Sequence, residues 1–154
     1  MSERILKALM QLFAIVAKVN LNDDEIRADQ SSRLIVKLFL QQDLPNELID
    51  KYLLIFDKFI KERHSSTRKK DGTRKRTSVN SVKVLRICTQ INEELEQRQK
   101  VIVLIRILEF IFADPEHSEK ELEFASTVAD TFNIQSKEYE EIFHFVESGS
   151  KKIF

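Results

Sequence analysis

The sequence predicts an all-α fold in a single domain, on three observations. Apolar residues recur at helical spacing over most of the chain. Turn-forming residues are scarce, with two Gly and two Pro in 154 residues. One stretch, Val101–Ala113, reads VIVLIRILEFIFA and is apolar at eleven of thirteen positions. Long runs of 3.6-residue period joined by short polar breaks argue for helices and against an all-β or doubly wound fold. The Val101–Ala113 stretch is the expected hub, because a helix apolar on nearly every side must be buried by its neighbours. It is too short to span a bilayer, which takes about 20 apolar residues, and Arg106 and Glu109 interrupt it. A chain of this length buries a continuous core without disulfides or a structural metal. Eleven Phe and many Leu, Ile and Val supply that core.

Seven helices are expected. The first runs from about Glu3 to Val19, with a broad apolar face at Ile5, Leu6, Leu9, Met10, Leu12, Phe13 and Val16. Asn22 is a candidate N-cap for the second, with Glu25 at the capping-box position three residues on. That helix, about Asp23 to Gln42, should pack through Ile26, Leu34, Ile35, Leu38 and Phe39. Asp43-Leu44-Pro45 ends it, since proline disfavours helix at the residue before it and suits the first turn of the next. The third, about Asn46 to Arg63, shows an apolar stripe at Leu48, Ile49, Tyr52, Leu53, Phe56, Phe59 and Ile60. A fourth is expected over about Val82 to Glu94, inward at Val82, Leu85, Cys88 and Ile91 and, just past its end, Leu95. The hub follows over Gln97 to Phe112. Ser118 caps a sixth helix, about Glu119 to Phe132, with Glu121 at its capping-box position. Asn133 stands where a C-cap belongs, and a last helix, about Lys137 to Glu147 behind the candidate cap Ser136, packs through Tyr139, Ile142, Phe143 and Val146.

Between the third and fourth helices the composition changes. Residues 64–80 hold no apolar side chain except Val79, together with six basic ones. Such a segment buries too little surface to offset its ordering entropy, so a mobile loop is expected. The net charge of zero conceals a strong asymmetry. Lys61–Arg76 carries eight Lys and Arg against two acids, whereas Glu109–Glu147 carries eleven acids against two Lys. That separation would steer charged partners or dock one region on the other. A lone cysteine, Cys88, excludes an intramolecular disulfide. Neither a signal peptide nor a transmembrane segment is apparent, so a cytoplasmic location is expected, with any membrane association through a partner.

The halves look alike. Leu12–Val19, a short acidic loop and Asp23–Leu40 parallel Leu104–Phe112, a short acidic loop and Glu119–Phe132, and each set is followed by a further helix. Two copies imply a pseudo-symmetric bundle, with repeat one at about 3–63, the basic insert at 64–80, repeat two at about 81–147 and a tail at 148–154. The segment Ala113-Asp114-Pro115-Glu116-His117-Ser118-Glu119-Lys120-Glu121 resembles the Ala-Asp-Gly-x-x-Ser-x-x-Glu loop of tellurite-resistance TerB-like domains. Ala113, Asp114, Ser118 and Glu121 match at the right spacing, while Pro115 replaces the usual glycine. In the first repeat Asn20 stands where the aspartate would be, and the loop is two residues shorter. The resemblance covers roughly Leu6–Val146. It implies an all-helical domain with two such repeats, found in cytoplasmic, membrane-associated or stress-response modules. It also implies no assigned catalytic reaction, fusion to other domains, and for some members an acidic metal-binding face. The tail would suit a linker towards a fused neighbour, with this chain the N-terminal part of a larger protein.

Several side chains are candidates for function. Asp114 and Glu121, joined by Asp23, Asp24 or Glu25 across the repeat, would favour a hard cation, Ca²⁺ or Mg²⁺. Acids at helix N-termini also satisfy free N–H groups and the macrodipole, which needs no metal. Arg63, Arg68, Lys69, Lys70, Arg74, Lys75 and Arg76 would neutralise phosphates on an anionic membrane or meet an acidic protein surface. No aromatic residue lies between His64 and Asn80, so sequence-specific nucleic-acid recognition by stacking is not expected. His64, His117 and His144 lie far apart with no zinc-ligand spacing, and Cys88 has no base beside it in sequence. Two isolated glycines exclude a phosphate loop. The Phe stripes read as core; any Phe that faces outward would mark a partner surface. The expected function is a noncatalytic interaction or regulatory module that uses an acidic face and a basic loop, with a protein partner or fused domain. The alternative is a divalent-metal-binding stress-response domain.

Overall fold

The helix α1 (Glu3–Val16) is more completely buried than the expected hub. Nine of its fourteen residues are buried, among them Leu9, Met10, Leu12 and Phe13 at 0 % exposure. Ser2 begins the helix, its Oγ accepting from the Ile5 N–H at 3.3 Å. The computed structural model describes residues 1–17, 19–20, 27–67 and 81–153. Beyond α1 the elements are β1 (Val19–Asn20), β2 (Arg27–Ala28), α2 (Gln30–Gln41), α3 (Asn46–Thr67), α4 (Ser81–Glu94), α5 (Gln97–Phe112), α6 (Glu119–Thr131) and α7 (Ser136–Ile153). The fold is all-α, and the two strands are a two-residue antiparallel pairing, Val19 opposite Ala28 and Asn20 opposite Arg27. No helix among the described residues is long and apolar enough to cross a membrane.

Contacts between side chains give the helix directions. Lys51 of α3 lies 3.2 Å from Glu3, and Arg63 of α3 reaches the carbonyl of Ala14, so α3 runs parallel to α1. Glu94 of α4 accepts from the Ser2 N–H at 2.9 Å and Glu93 meets Arg4 at 3.3 Å, so α4 runs antiparallel to α1. The C-terminal ends of α1 and α3 and the N-terminal end of α4 therefore share one end of the bundle. On the other side α5 packs on α7, α6 and α2. Phe13 joins the two groups, its ring 5.2 Å from Phe39 of α2 and 5.5 Å from Phe110 of α5.

Four boundaries differ from the sequence expectation, the first being the end of α1, which stops at Val16 so that Val19 pairs in β1 instead of closing the helix. The second helix begins at Gln30, not near Asp23, because Asp29 caps it: its Oδ1 accepts from the Ser32 N–H at 2.8 Å. The candidate cap Asn22 and its partner Glu25 lie outside the described residues. The third helix continues past Arg63 to Thr67, so residues 64–67 are helix and not loop; residues 68–80 lie outside the described set. The last helix likewise runs to Ile153 in place of a tail from 148. The hub range Gln97–Phe112 agrees with expectation. So does the end of α6, where Asn133 at φ 57° closes the helix. The Ile134 N–H bonds the Ala129 carbonyl at 2.9 Å and the Asn133 N–H bonds the Asp130 carbonyl at 3.1 Å. That pair of bonds satisfies the last carbonyls and lets an asparagine take the left-handed position.

The buried faces are corrected at five positions. Leu34, Leu38, Leu48, Val82 and Leu85 were expected inward and are exposed. On α2 the buried face is Ser32, Val36, Phe39 and Leu40, one step round the helix from Leu34 and Leu38. On α4 two apolar stripes share Cys88 and Ile91. Contact with α1 and α6 selects the one that includes Val84 and Ile87, which leaves Val82 and Leu85 outside. Across α2 and α3, Arg33 Nη1 donates to both oxygens of Asp57 at 2.5 Å.

This assignment of faces is testable by urea denaturation. Leu104→Ala, at 0 % exposure, should lower stability by about 2–5 kcal/mol. Leu38→Ala, at 42 % exposure, should stay within about 0.5 kcal/mol of the parent. Equal losses at both positions would mean that Leu38 is core after all.

Candidate functional site

The loop between α5 and α6 is built by short-range hydrogen bonds. The Ala113 N–H still bonds the Glu109 carbonyl at 2.9 Å, and Asp114 then turns the chain. Its Oδ1 accepts from the Glu116 N–H at 2.9 Å, and its carbonyl accepts from the His117 N–H at 3.3 Å. A turn with Asp first and Pro115 second has the composition of type I, in which no residue needs a positive φ. Asn133 is the one non-glycine residue with positive φ among those described, so Pro115 stands in a turn that needs no glycine. The Nδ1 of His117, which must carry its proton to face a carbonyl, donates to the Asp114 oxygen at 2.9 Å. The His117 ring stands edge-on to Phe112 at 5.2 Å, and Phe112 stands edge-on to Phe143 of α7 at 5.1 Å. The loop is thus pinned to both α5 and α7.

Ser118 performs its half of the expected capping box, its Oγ accepting from the Glu121 N–H at 3.3 Å. Arg63 Nη1 donates to the Ala14 carbonyl at 3.2 Å and to the Ile15 carbonyl at the C-terminal end of α1. Burial pushes the Arg63 guanidinium below its usual value, and the Glu121 carboxylate pushes it back up. Glu121 therefore contributes a favourable negative charge to a partly buried cation. Arg63 itself leaves the basic cluster to which its sequence position assigned it. The signal was present: Phe56, Ile60 and Arg63 follow one another at i, i+4 and i+7, on the inward stripe of α3.

Of the expected metal ligands, Asp114 accepts the Glu116 N–H through Oδ1 and Glu121 lies in the first turn of α6, whereas Asp23, Asp24 and Glu25 lie outside the described residues. No group of three or more His, Cys, Asp and Glu side chains able to hold a metal ion occurs among the described residues. Arg68, Lys69, Lys70, Arg74, Lys75 and Arg76 also lie outside them. His144 is exposed on α7 against Phe143, with 5.7 Å between ring centres. Cys88 is fully buried, and burial pushes its thiol up to about 12; a protonated, inaccessible thiol is no nucleophile.

The acidic face proper lies on the outer sides of α6 and α7. Glu119, Glu123 and Asp130 of α6 and Glu138, Glu140 and Glu141 of α7 are exposed. Asp130 acts on Tyr139 across the two helices, where burial first and that negative charge second push the phenol up. Among these acids sits a residue that the sequence did not single out. Phe145 of α7 is 75 % exposed, the largest exposure of any large apolar side chain described. Its neighbours Phe143 and Val146 turn inward, so the run Phe143-His144-Phe145-Val146 straddles the edge of the core. No protein-family model, no curated protein and no solved structure matches this chain.

Two measurements check this geometry. Arg63→Met should lower the unfolding free energy by about 1.5–3 kcal/mol, the range for hydrogen bonds to a charged group. Arg63→Lys should restore only part of it, because an ammonium lacks the planar fork; an unchanged urea midpoint in Arg63→Met would show that the end of α1 is satisfied without it. For Cys88, the unfolded thiol ionises above about 9.0 while the native one stays protonated up to about 12. The unfolded state then holds fewer protons, so this thiol should take stability away as pH rises through that window. Cys88→Ala should remove that component of the pH dependence, and a slope identical to the parent's would contradict the assignment.

Proposed function

We propose that this chain is a noncatalytic interaction module that binds a protein partner, or a fused domain, through the acidic outer face of α7. The observation that carries the proposal is Phe145, an aromatic ring left 75 % exposed on the same face of α7 as the exposed Glu141 and Glu138, four and seven residues before it. Aromatic side chains dominate binding surfaces because they bury a large area at small entropic cost. Acids on that face steer a basic partner and disfavour acidic ones. On this reading the domain works in the cytoplasm, and the basic insert, Arg68–Arg76, meets a second, acidic surface. The TerB-like relationship is part of the proposal. It is supported by the α5–loop–α6 unit, in which Asp114 turns the chain and Ser118 caps the next helix, as the shared motif requires.

The alternative, a Ca²⁺- or Mg²⁺-binding domain, draws less support, because no group of three or more His, Cys, Asp and Glu side chains comes together among the described residues. The two readings separate in a pair of experiments. With p-benzoylphenylalanine at position 145, irradiation in cells should give one discrete adduct, lost on Glu138→Lys with Glu141→Lys. Absence of any adduct would sink the α7 surface. Titration with millimolar Ca²⁺ or Mg²⁺ should produce neither heat nor a shift in melting temperature, and a raised melting temperature would move the assignment to the metal-binding reading.

A further inference from the structure

The end of the bundle opposite the Glu93 and Glu94 contacts presents a second surface, separate from Phe145. There α4 begins with Ser81-Val82-Lys83-Val84-Leu85-Arg86, whose inward residue is Val84. Val82 is 64 % exposed and Leu85 44 % exposed, and Lys83 and Arg86 are exposed beside them. Val82, Leu85 and Arg86 fall at i, i+3 and i+4, on one outer face of the helix. No acid occurs on α4 before Glu93, which is tied to Arg4 at the far end. The sequence that leads into this helix, residues 68–80, holds six Lys and Arg against one acid.

We propose that this N-terminal face of α4 docks on an anionic phospholipid surface. Val82 and Leu85 would enter the boundary between headgroups and acyl chains, while Lys83 and Arg86 lay their stems along it and place their charges at the phosphates. Charge complementarity selects the occupant: a basic helix face continuous in sequence with a polybasic segment is drawn to an anionic leaflet, each Lys or Arg adding severalfold in affinity. Nucleic acid would use the cations and leave the two aliphatic side chains in water, and no aromatic side chain stands among them for base stacking. The proposal is independent of the α7 surface, and either can fail alone.

Sedimentation with vesicles of equal parts phosphatidylserine and phosphatidylcholine, beside vesicles of phosphatidylcholine only, tests it at physiological salt. The parent should pellet with the anionic vesicles alone. Lys83→Glu with Arg86→Glu should weaken binding about tenfold or more. Val82→Ser with Leu85→Ser should weaken it severalfold while leaving retention on heparin unchanged, a result that charge attraction without insertion does not give. Circular dichroism melts of both pairs should match the parent, since all four side chains are exposed. Failure to pellet, or equal vesicle binding by Val82→Ser with Leu85→Ser, would overturn the proposal, the latter in favour of purely electrostatic attraction such as nucleic acid also exerts. The adduct at position 145 should form in all these variants, so its loss would count against the α7 surface and not this one.

Discussion

The guanidinium of Arg63 on the last carbonyls of α1 is the interaction on which the arrangement depends. A helix surrounded by α3, α4 and α5 cannot send its C-terminal carbonyls into water, and each orphaned carbonyl would cost as much as a lost hydrogen bond. The chain places no glycine there, so the usual left-handed ending is unavailable. Arg63 supplies donors from α3, and a positive charge at that end is also favoured by the helix macrodipole. Burying that charge would be costly alone, and Glu121 at the start of α6 offsets it. One side chain thereby ties α3 to the end of α1.

That tie changes the meaning of the loop between α5 and α6. Acids at a turn and a helix start resemble a cation site when read as a string. In three dimensions the Asp114 Oδ1 and carbonyl hold its own turn through Glu116 and His117, and the Glu121 charge acts on the Arg63 guanidinium. The remaining surface charge then stands out by position. Acids crowd the outer sides of α6 and α7 around Phe145, while exposed Lys83 and Arg86 with two exposed aliphatic residues mark the start of α4.

Much of the fold was legible because local signals were strong. The range of α5 follows from an apolar run that no other element could accommodate, and the start of α6 and its end at Asn133 follow from cap chemistry confined to a few residues. Errors arose where two local solutions had similar merit. Asp29 caps a helix as well as Asn22 would, and α4 carries two overlapping apolar stripes between which only its contacts with α1 and α6 decide. The candidate site was less legible still, since Arg63 reads as one more charge in a basic run until α1 is seen to end beside it.

The sequence by itself determined that the chain is helical, where most helices begin and end, and that opposite charges gather in opposite halves, because periodicity, capping and composition act over a few residues. Only the tertiary structure decided which of two apolar stripes is core, that α1 rather than α5 is the more deeply buried helix, that Arg63 closes the end of α1, and that Phe145, Val82 and Leu85 are left outside. Those outcomes depend on which helix lies alongside which, and that is a property of the packed whole.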